Sequence, residues 1–393
     1  MVFKSALKTK TICRPLIVSF TLSVVSAVTI FTLIVVNPHL INWSDFVSLQ
    51  TGAVIIKKGE AKSLYDVSLQ AKIQNESINE STIRLLPFRM LPPAAFFLSP
   101  LSFLGLVSAY RVFAAFNLLG LFFSVYQIKK LLRWHGLLPY LIAFSYWPVV
   151  STIFKGQISI FILILFTFLF IFINKKRPFS VGVIASLLFN KPQFLLMIPF
   201  LFGLVENKLK FLYGFLLSSV CLFFLGVLLV GFDTMLRYPV FLYITENPVY
   251  GSYMERYSSI FPLFLVIKER FFLFDTFPFL ANTFFYLTSV VYFWIRKGKS
   301  SPMLSFSVGI VFTLLFGIHI WEHDFSILLL VVFFMAYYWK KTRNLTYLFV
   351  FSFLYLLPFL QYLVYQSTIP LGLFTVGLFM LSSRMQHTFN KVS

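Results

Sequence analysis

The chain has 393 residues, of which 59% are hydrophobic, 20% aromatic and only 12% charged, and its mean hydropathy is +0.86. Soluble domains carry charged residues at about a quarter of their positions, so this composition excludes an ordinary soluble protein and indicates a polytopic membrane protein. The formal net charge of +20 does not indicate nucleic-acid binding, because Lys and Arg fall in short clusters between apolar runs, as topology determinants do. The two cysteines give no reason to expect a disulfide or a metal site.

About twelve apolar runs of spanning or near-spanning length follow one another along the chain. They are predicted at roughly 15–36, 108–128, 137–154, 158–173, 178–190, 192–205, 211–231, 279–295, 303–320, 325–339, 344–364 and 369–383. The first run has no small-residue cleavage pattern, so we interpret it as a retained signal anchor. The runs on either side of Asn190-Lys-Pro-Gln193 are short, and together they could instead form one re-entrant or broken element. We therefore predict an all-α polytopic membrane protein with a single integral membrane domain over 1–393.

The basic clusters give an independent test of this topology. In a twelve-span arrangement they all fall on one side, at 4–14, 129–133, 175–177, 208–210, 296–299, 340–343 and 384–391. The positive-inside rule makes that side cytoplasmic and places both termini there. Of the 13 acidic residues, only Glu206 falls on the same side. The sequence thus predicts a multi-pass protein of the cell inner (plasma) membrane whose working surface faces outside.

Two of the predicted outer segments are long, 37–107 and 232–278, whereas the inner loops are short. In the first segment, Pro92-Pro93 precedes an apolar stretch that is too short to span the bilayer, so we predict interfacial helices there. The second segment is rich in tyrosines, which favour the membrane–water boundary. We expect both segments to be extracytoplasmic loops.

Asp45, in Asn42-Trp-Ser-Asp-Phe46, lies a few residues beyond the first apolar run, on the predicted outer side. At this boundary an acceptor hydroxyl could meet a lipid headgroup, and a carboxylate there is suited to act as a general base. The alternative is structural, because Asp45 could be the N-cap of a helix that begins after Ser44. Its position in the sequence leaves both interpretations open.

The densest ionisable cluster of the chain is His319-Ile-Trp-Glu-His-Asp324, at the predicted outer end of the ninth run. If the helix continues through it, His319 and His323 share one face at positions i and i+4. Such a pair could bind a metal, donate to a phosphate or lie in the interfacial belt with Trp321. No further Cys or His cluster accompanies it, so no metal site is predicted.

Lys155 and Lys191 depart from the positive-inside pattern, because both lie in short outer loops. An anionic phosphate near the outer leaflet would account for them, and Pro192 suits a broken helix that lines a cavity. The alternative is that both lysines snorkel to lipid headgroups. Arg89 and Arg256, also on the outer side, are further candidate contacts for a phosphate.

The sequence lacks the signature motifs of several other functional classes of protein. The sequence contains no P-loop, no dinucleotide fingerprint and no Gly-x-Ser-x-Gly elbow, and no charged residue lies at the middle of a predicted span. These observations argue against an ATP-driven pump and, less strongly, against a proton-coupled transporter.

A series of motifs runs along roughly residues 40–335 in the order Asp45-Phe46, Gly59, Leu64-Tyr-Asp66, Leu91-Pro-Pro93, Leu98-Ser-Pro-Leu101, Tyr110, Asn117, Lys155-Gly-Gln157, Asn190-Lys-Pro-Gln193, and Trp321 with His323. In order and spacing, the series resembles glycosyltransferase family 87, an integral-membrane group of the GT-C superfamily. The chain departs from the family in its high aromatic content and in Arg89-Met-Leu-Pro, where the family more usually has Tyr-Pro-Pro.

The resemblance implies a GT-C-like helical bundle that transfers a sugar from a polyprenyl-phosphate carrier to a glycan or glycolipid acceptor on the outer side. The sugar is typically mannose and, in relatives, a pentose such as arabinofuranose. An acid of the first outer loop acts as base in such enzymes, and Asp45 matches that position. A histidine of the late outer loop belongs to the family's site, which favours His323 over His319. Further predicted site residues in or beside these motifs are Tyr65, Gln157, Gln193 and Glu322.

The resulting hypothesis is an inverting transfer in which Asp45 removes a proton from the acceptor hydroxyl. Lys191, an outer arginine or a protonated His323 would stabilise the departing lipid phosphate. The carrier is already activated, so no nucleotide site and no cofactor are expected. Glu322 and Asp324 leave room for a divalent metal, which the reaction does not require.

Three alternatives come from other function classes. An O-antigen polymerase or ligase also uses a polyprenyl-linked donor, but usually has its largest outer loop late in the chain, whereas here the first outer segment is the longer one. A lipid-linked-sugar flippase or transporter should carry substrate contacts on its inner loops, which here are short. A structural membrane scaffold would leave the outer lysines and the histidine cluster without a role.

Overall fold

The computed structural model describes residues 38–78, 85–297 and 301–360, together with a few single positions near the termini. Within these ranges the chain is helical and has no strand. The α-helices are α1 (Phe46–Lys57), α2 (Val67–Ile78), α3 (Pro92–Leu98), α4 (Leu106–Leu131), α5 (Leu138–Phe144), α6 (Trp147–Lys155), α7 (Ser159–Asn174), α8 (Pro178–Ser186), α9 (Ile198–Leu204), α10 (Lys208–Val230), α11 (Phe232–Thr245), α12 (Phe261–Arg270), α13 (Phe277–Arg296), α14 (Pro302–Phe316), α15 (Leu328–Thr342) and α16 (Leu345–Leu360).

Short 3₁₀ helices join several of these elements. They are Pro38–Trp43, Ala61–Ser63, Ser99–Phe103, Leu187–Asn190, Pro192–Met197, Pro248–Tyr250, Met254–Arg256 and Glu322–Ile327. The predicted first and last spans, 15–36 and 369–383, lie almost wholly outside the described residues.

Among the described residues, four helical stretches are long and apolar enough to cross a membrane: α4, α10, α13 and the continuous stretch Glu322–Thr342, which ends with α15. Other apolar helices, such as α7 and α14, are shorter. Along α10, large side chains such as Tyr213, Phe224 and Leu228 are exposed, as expected for a helix that faces lipid. The predicted all-helical membrane protein is thus confirmed, and the count of twelve spans stays a prediction.

Helices α7, α14 and α15 form the centre of the bundle. They are apolar on nearly all sides and almost wholly buried, as helices of this kind are in the core of a protein. Phe170 of α7 joins the three helices, because its ring lies 5.2 Å from that of Phe306 in α14 and 4.5 Å from that of Phe334 in α15. Aromatic pairs at such distances add to the stability gained from burial.

Helices α8 and α10 approach each other backbone to backbone. A Cβ atom at Gly182 would lie 2.2 Å from the carbonyl oxygen of Phe211, and one at Gly214 would lie 2.3 Å from that of Phe179. Small residues permit such close packing between helices in membranes. The two glycines therefore fix how α8 lies against the long lipid-facing helix.

The single span predicted over 137–154 is wrong, because the structure has two short helices there, α5 and α6. Tyr146 adopts an extended backbone between them, with φ −76° and ψ 116°. Pro148 lies in the first turn of α6 and has no N–H to bond to the carbonyl of Phe144, so the first helix cannot continue into the second.

The broken element around Asn190-Lys-Pro-Gln193 is confirmed. Helix α8 tightens into the 3₁₀ helix Leu187–Asn190, the chain is extended at Lys191 (φ −143°, ψ 80°), and a second 3₁₀ helix leads into α9. Proline disfavours a helical conformation in the residue before it, which explains the break at Lys191. Irregular backbone within a membrane protein is tolerated where it lines a cavity.

The first predicted outer segment contains the expected helices. Helix α1 is largely buried against the bundle, whereas Phe97 of α3 and Phe103 of the following 3₁₀ helix are 85% and 74% exposed. Exposed phenylalanines suit a position at a membrane surface. The helical content of this segment is confirmed, and its interfacial position stays a prediction.

Asp66 caps α2 and provides a test of the first outer segment. Its Oδ1 accepts hydrogen bonds from the Ser68 hydroxyl (2.5 Å) and from the backbone N–H groups of Ser68 (2.8 Å) and Leu69 (3.2 Å). The hydroxyl bond and then the Leu69 bond lower the pKa of the Asp66 carboxyl. We expect Asp66→Ala to reduce the local stability of α2 by about 1 kcal/mol at neutral pH, measured by amide hydrogen exchange of Val67–Ile78.

This contribution should depend on pH. Because the pKa of Asp66 is lower in the folded state, its stabilisation is complete above the unfolded value near ~3.9 and is lost as the pH falls through the lowered pKa. Wild type and Asp66→Ala should therefore converge in acid. Asp66→Asn is the matched control, because asparagine caps helices equally well without titrating. A wild-type advantage over alanine that persists below both pKa values would contradict the assignment.

Candidate active site

A cavity of about 610 Å³ lies at one end of α7 and α14, where several segments distant in sequence meet. Many of the predicted site residues line it: Asp45, Arg89, Lys155, Gln157, Lys191, Gln193, His319 and His323. Apolar side chains complete its wall, among them Leu49, Leu196, Leu242, Phe316 and Ile318. The cavity thus combines charged groups with a surface suited to hydrocarbon.

Three predicted site residues lie away from the lining of this cavity. Tyr65 is buried, donates its hydroxyl proton to the Met90 carbonyl (2.8 Å) and packs on the rings of α11. Arg256 is exposed and lies over the ring of Tyr253. Glu322 lies behind the wall, where it pairs with Lys155. Of these three residues, Glu322 is the one that is paired with a charged lining residue, Lys155, among the described contacts.

Asp45 is positioned at the start of α1, but its side chain makes no capping bond. One carboxylate oxygen instead accepts a hydrogen bond from the side-chain amide of Gln157, at 2.8 Å. In the part of the chain that the structure describes, Asp45 forms no ion pair. The structural alternative, in which the carboxylate caps the helix, is therefore not what the geometry shows.

Gly156 brings Gln157 and Asp45 together. Its backbone is left-handed, with φ +63°, and ends α6. A Cβ atom at this position would lie only 2.5 Å from the Cβ of Phe46, the residue after Asp45. Tyr110 holds the same helix end by donating its hydroxyl proton to carbonyl groups of its last turn. Glycine is needed for both the turn and the close approach.

Lys191 and Asp324 form a buried ion pair. Their side chains are 11% and 0% exposed, and the Ser159 hydroxyl, 3.0 Å from both the Lys191 Nζ and an Asp324 oxygen, completes the cluster. A buried charge is stable only when it is paired and hydrogen-bonded. Lys191 therefore does not snorkel to headgroups but joins the broken element to the late loop.

Lys155 forms a second pair, with Glu322, whose side chain is 8% exposed. The Ser151 hydroxyl donates to the same carboxylate oxygen, at 3.3 Å. The Lys155 ammonium also lies 5.9 Å from the ring centre of Trp321. Both lysines that departed from the positive-inside pattern are thus compensated by acids of the late loop.

The two histidines of the late loop do not share a helical face. Helix α14 ends at Phe316, and the next helical turn begins only at Glu322, so the condition for an i, i+4 pair is not met. The His319 Nδ1 lies 2.8 Å from Glu246 Oε1, and the Trp321 indole N–H donates to the His319 Nε2 at 3.3 Å. His323 is buried, and its Nε2 lies 3.7 Å from Asp324 Oδ1.

Glu246 is a lining residue whose role the sequence did not reveal. Its carboxylate accepts a hydrogen bond from the hydroxyl of Tyr257, and it pairs with His319 and, at 3.6 Å, with the Arg89 guanidinium. Burial alone would raise the pKa of Glu246, but His319, Tyr257 and Arg89 together hold it below its ordinary value. Its position in the tyrosine-rich second outer segment was the available signal. Through Glu246, both long outer segments contact the late loop.

Three lining residues carry a buried polar atom without a hydrogen-bond partner in the described structure: Asn190 Oδ1, Asn282 Oδ1 and His323 Nδ1. The amide nitrogen of Asn282 donates to the Phe316 carbonyl (2.9 Å), and that of Asn190 donates to the Leu187 carbonyl (3.1 Å). These bonds leave each amide oxygen as an acceptor. Asn282 escaped sequence analysis, although an asparagine within a membrane-spanning helix is itself a signal.

The sequence left open the possibility that Glu322 and Asp324 bind a divalent metal. Within 38–78, 85–297 and 301–360, no group of three or more His, Cys, Asp or Glu side chains is placed to hold a metal ion. Each of these two carboxylates binds a lysine instead.

The buried pair provides a test of how the cavity is held together. We expect Asp324→Asn to lower the free energy of unfolding by about 3–5 kcal/mol, because Lys191 would remain buried without a counter-charge. The double variant Lys191→Met with Asp324→Asn should recover most of this loss. The measurement is thermal or denaturant unfolding of the purified protein in detergent.

Lys58 and Glu76 provide the matched control, because their side chains form a pair that is 40% and 50% exposed. Glu76→Gln should cost less than about 1 kcal/mol, as is usual for a surface pair. Equal losses from Asp324→Asn and Glu76→Gln would show that the Lys191 pair does not support the structure.

Comparison with known proteins gives one match. The sequence profile of glycosyltransferase family 87 matches residues 92–365. No curated protein and no solved structure matches the chain. The matched range contains Lys155, Lys191 and the histidine loop, whereas Asp45 lies ahead of it. A match over well more than half of the chain identifies this helical membrane protein as a member of glycosyltransferase family 87.

Proposed function

We propose that the protein transfers a sugar from a polyprenyl-phosphate donor to a hydroxyl group of a glycan or glycolipid acceptor, at the predicted outer face of the membrane. The observation that carries this proposal is the content of one cavity. Asp45, which forms no ion pair among the described residues, shares the cavity with the basic side chains of Arg89, Lys155 and Lys191. A general base and cationic groups for a phosphate are the two requirements of such a transfer.

In this proposal Asp45 is the base. Its hydrogen bond from the neutral side-chain amide of Gln157 orients the carboxylate. As the acceptor oxygen forms its bond to the anomeric carbon, the bond from that carbon to the phosphate oxygen breaks. The acceptor proton passes to Asp45, and the polyprenyl phosphate leaves with the bonding electron pair. Displacement from the opposite face inverts the anomeric configuration.

The basic groups would bind the phosphate as members of ion-pair networks. Arg89, Lys155 and Lys191 are each held by an acid, so they are fixed in position before substrate arrives. Each ammonium has three N–H donors, and an ion pair with one carboxylate does not use all of them. Preorganised donors of this kind stabilise developing charge without having to reorient during the reaction. His323 also lines the cavity, and its Nδ1, which has no hydrogen-bond partner among the described residues, is a further candidate for a hydrogen bond to the substrate.

The rest of the lining fits the other parts of such a donor. The unpartnered amide oxygens of Asn190 and Asn282 are acceptors, and sugar hydroxyl groups are donors. The apolar wall that includes Leu196 and Phe316 suits the first units of a prenyl chain. A cavity of about 610 Å³ is within the range of small-molecule sites.

The decisive variant is Asp45→Asn, assayed in membranes supplied with polyprenyl-phosphate mannose and, separately, polyprenyl-phosphate arabinofuranose. Removing a general base should reduce the rate of transfer by about 10²–10⁴-fold. Asp66→Asn is the matched control in the same outer segment, because Asp66 lies outside the cavity lining, and it should transfer at the wild-type rate. Full activity of Asp45→Asn would refute the proposed role of Asp45.

The sugar and the acceptor require an experiment in cells. Mass spectrometry of the lipids and envelope glycans of a deletion strain should reveal a missing hexose or pentose, which identifies donor and acceptor together. Complementation with the wild-type gene, but not with Asp45→Asn, should restore that sugar. A deletion strain with unchanged glycans and lipids would contradict the proposed transfer.

A further inference from the structure

A second cavity, of about 350 Å³, lies at the opposite end of the bundle from the candidate active site. The first cavity is lined by Phe316 at the end of α14, and the second by Pro302 at its beginning. The C-terminal end of α7 also reaches the second cavity. The charged residues that line it are Lys176, Arg177, Glu206 and Lys297.

The charges around this second cavity do not balance. Glu206 is the only acid among its lining residues, and it pairs with Lys176 at 2.7 Å. Arg177 and Lys297 form no ion pair with any acid in the described part of the chain. This contrasts with the first cavity, where Arg89, Lys155 and Lys191 are each paired with an acid. The basic side chains of Arg177 and Lys297 are therefore available to bind an external anion.

Lys208 lies outside the lining of the second cavity but close to Lys297 and adds to this excess. The Nζ atoms of Lys208 and Lys297 lie 5.9 Å and 3.6 Å from the ring centre of Trp294, so the two like charges lie near the same aromatic ring. Lys297 also donates to the Gly203 carbonyl, at 3.0 Å. Burial and then the charge of Lys208 hold the pKa of Lys297 below its ordinary value. An anion placed between them would relieve this repulsion.

Two helices begin at the wall of the second cavity. Helix α8 starts with Pro178 and α14 with Pro302, and both prolines line it. The N-terminal end of a helix carries partial positive charge and unpaired N–H groups, which favour anions. Here the helix ends reinforce Arg177 and Lys297, which carry full charges.

The depth of the cavity indicates where the anion comes from. Lys208 is the first residue of α10, and Lys297 follows the last residue of α13, and both helices are long enough to span a membrane. The cavity therefore lies where a span ends and lipid headgroups begin. Basic clusters that act only as topology determinants need no cavity, whereas basic pockets between spans bind anionic headgroups.

We propose that the second cavity binds the phosphodiester headgroup of an anionic membrane phospholipid, through Arg177, Lys208 and Lys297. The shared chemistry with free phosphate is an oxyanion that accepts charge-assisted hydrogen bonds. The position at the end of two spans favours the lipid. This site is separate from sugar transfer and does not depend on the proposed function.

The test uses the full chain in detergent, titrated with dioleoyl phosphatidylglycerol, with dioleoyl phosphatidylcholine, and with inorganic phosphate, and read out by native mass spectrometry and by melting temperature. Phosphatidylglycerol should bind and raise the melting temperature, and the other two should not. Arg177→Gln with Lys297→Gln should weaken phosphatidylglycerol binding by about tenfold or more, since basic residues near a charged surface each contribute measurably.

Two controls distinguish binding at this cavity from nonspecific electrostatic attraction of the lipid and from misfolding of the variants. Lys129→Gln with Lys130→Gln removes the same charge at the end of α4, away from this lining, and should change the affinity by less than about twofold. Arg177 is exposed, so Arg177→Gln alone should fold normally and still weaken binding. Equal weakening by the two double variants, or equal binding of inorganic phosphate, would overturn the proposal.

Discussion

The buried pair of Lys191 and Asp324 is the interaction on which the candidate site depends. Two charges removed from water are stable only together, so the break between α8 and α9 must face the loop that follows α14. Lys155 and Glu322 form a second lysine–acid pair with the same loop. Lys155 and Lys191 both line the cavity, and these two pairs fix their positions there.

The Asp45 carboxylate is held by a hydrogen bond from a neutral amide, and this difference from the lysines bears on its proposed role as a base. The lysines are paired with acids, whereas Asp45 has no ion pair among the described residues and accepts a side-chain hydrogen bond from the Gln157 amide. The close approach at Gly156 places that amide, and Glu246 ties the two outer segments to the late loop. Compensated ion pairs thus fix Lys155 and Lys191 in the lining of the cavity, while the Asp45 carboxylate in the same lining is the base of the proposed transfer.

The two ends of the bundle differ in how charge is balanced. At the candidate active site, basic and acidic side chains are paired in the lining and directly behind it, whereas at the second cavity Arg177 and Lys297 form no ion pair with the acids that the structure describes. Both cavities lie at the ends of helices in a membrane protein, where lipid phosphate is the abundant anion. In our two proposals, the same bundle holds a lipid-borne substrate at one end and a structural lipid at the other.

The sequence by itself determined the class of the protein, its family, the possibility of a break at Lys191 and most of the charged residues that line the cavity, because hydropathy, proline and motif order are local signals. It did not determine which partners these residues have. Gln157 and Asp45 are 112 positions apart and Lys191 and Asp324 are 133, and Glu246 and Asn282 belong to no local motif. The sequence also predicted one span over 137–154, where Pro148 divides the helix. Only tertiary packing decided these contacts, since burial and charge pairing depend on where distant segments meet.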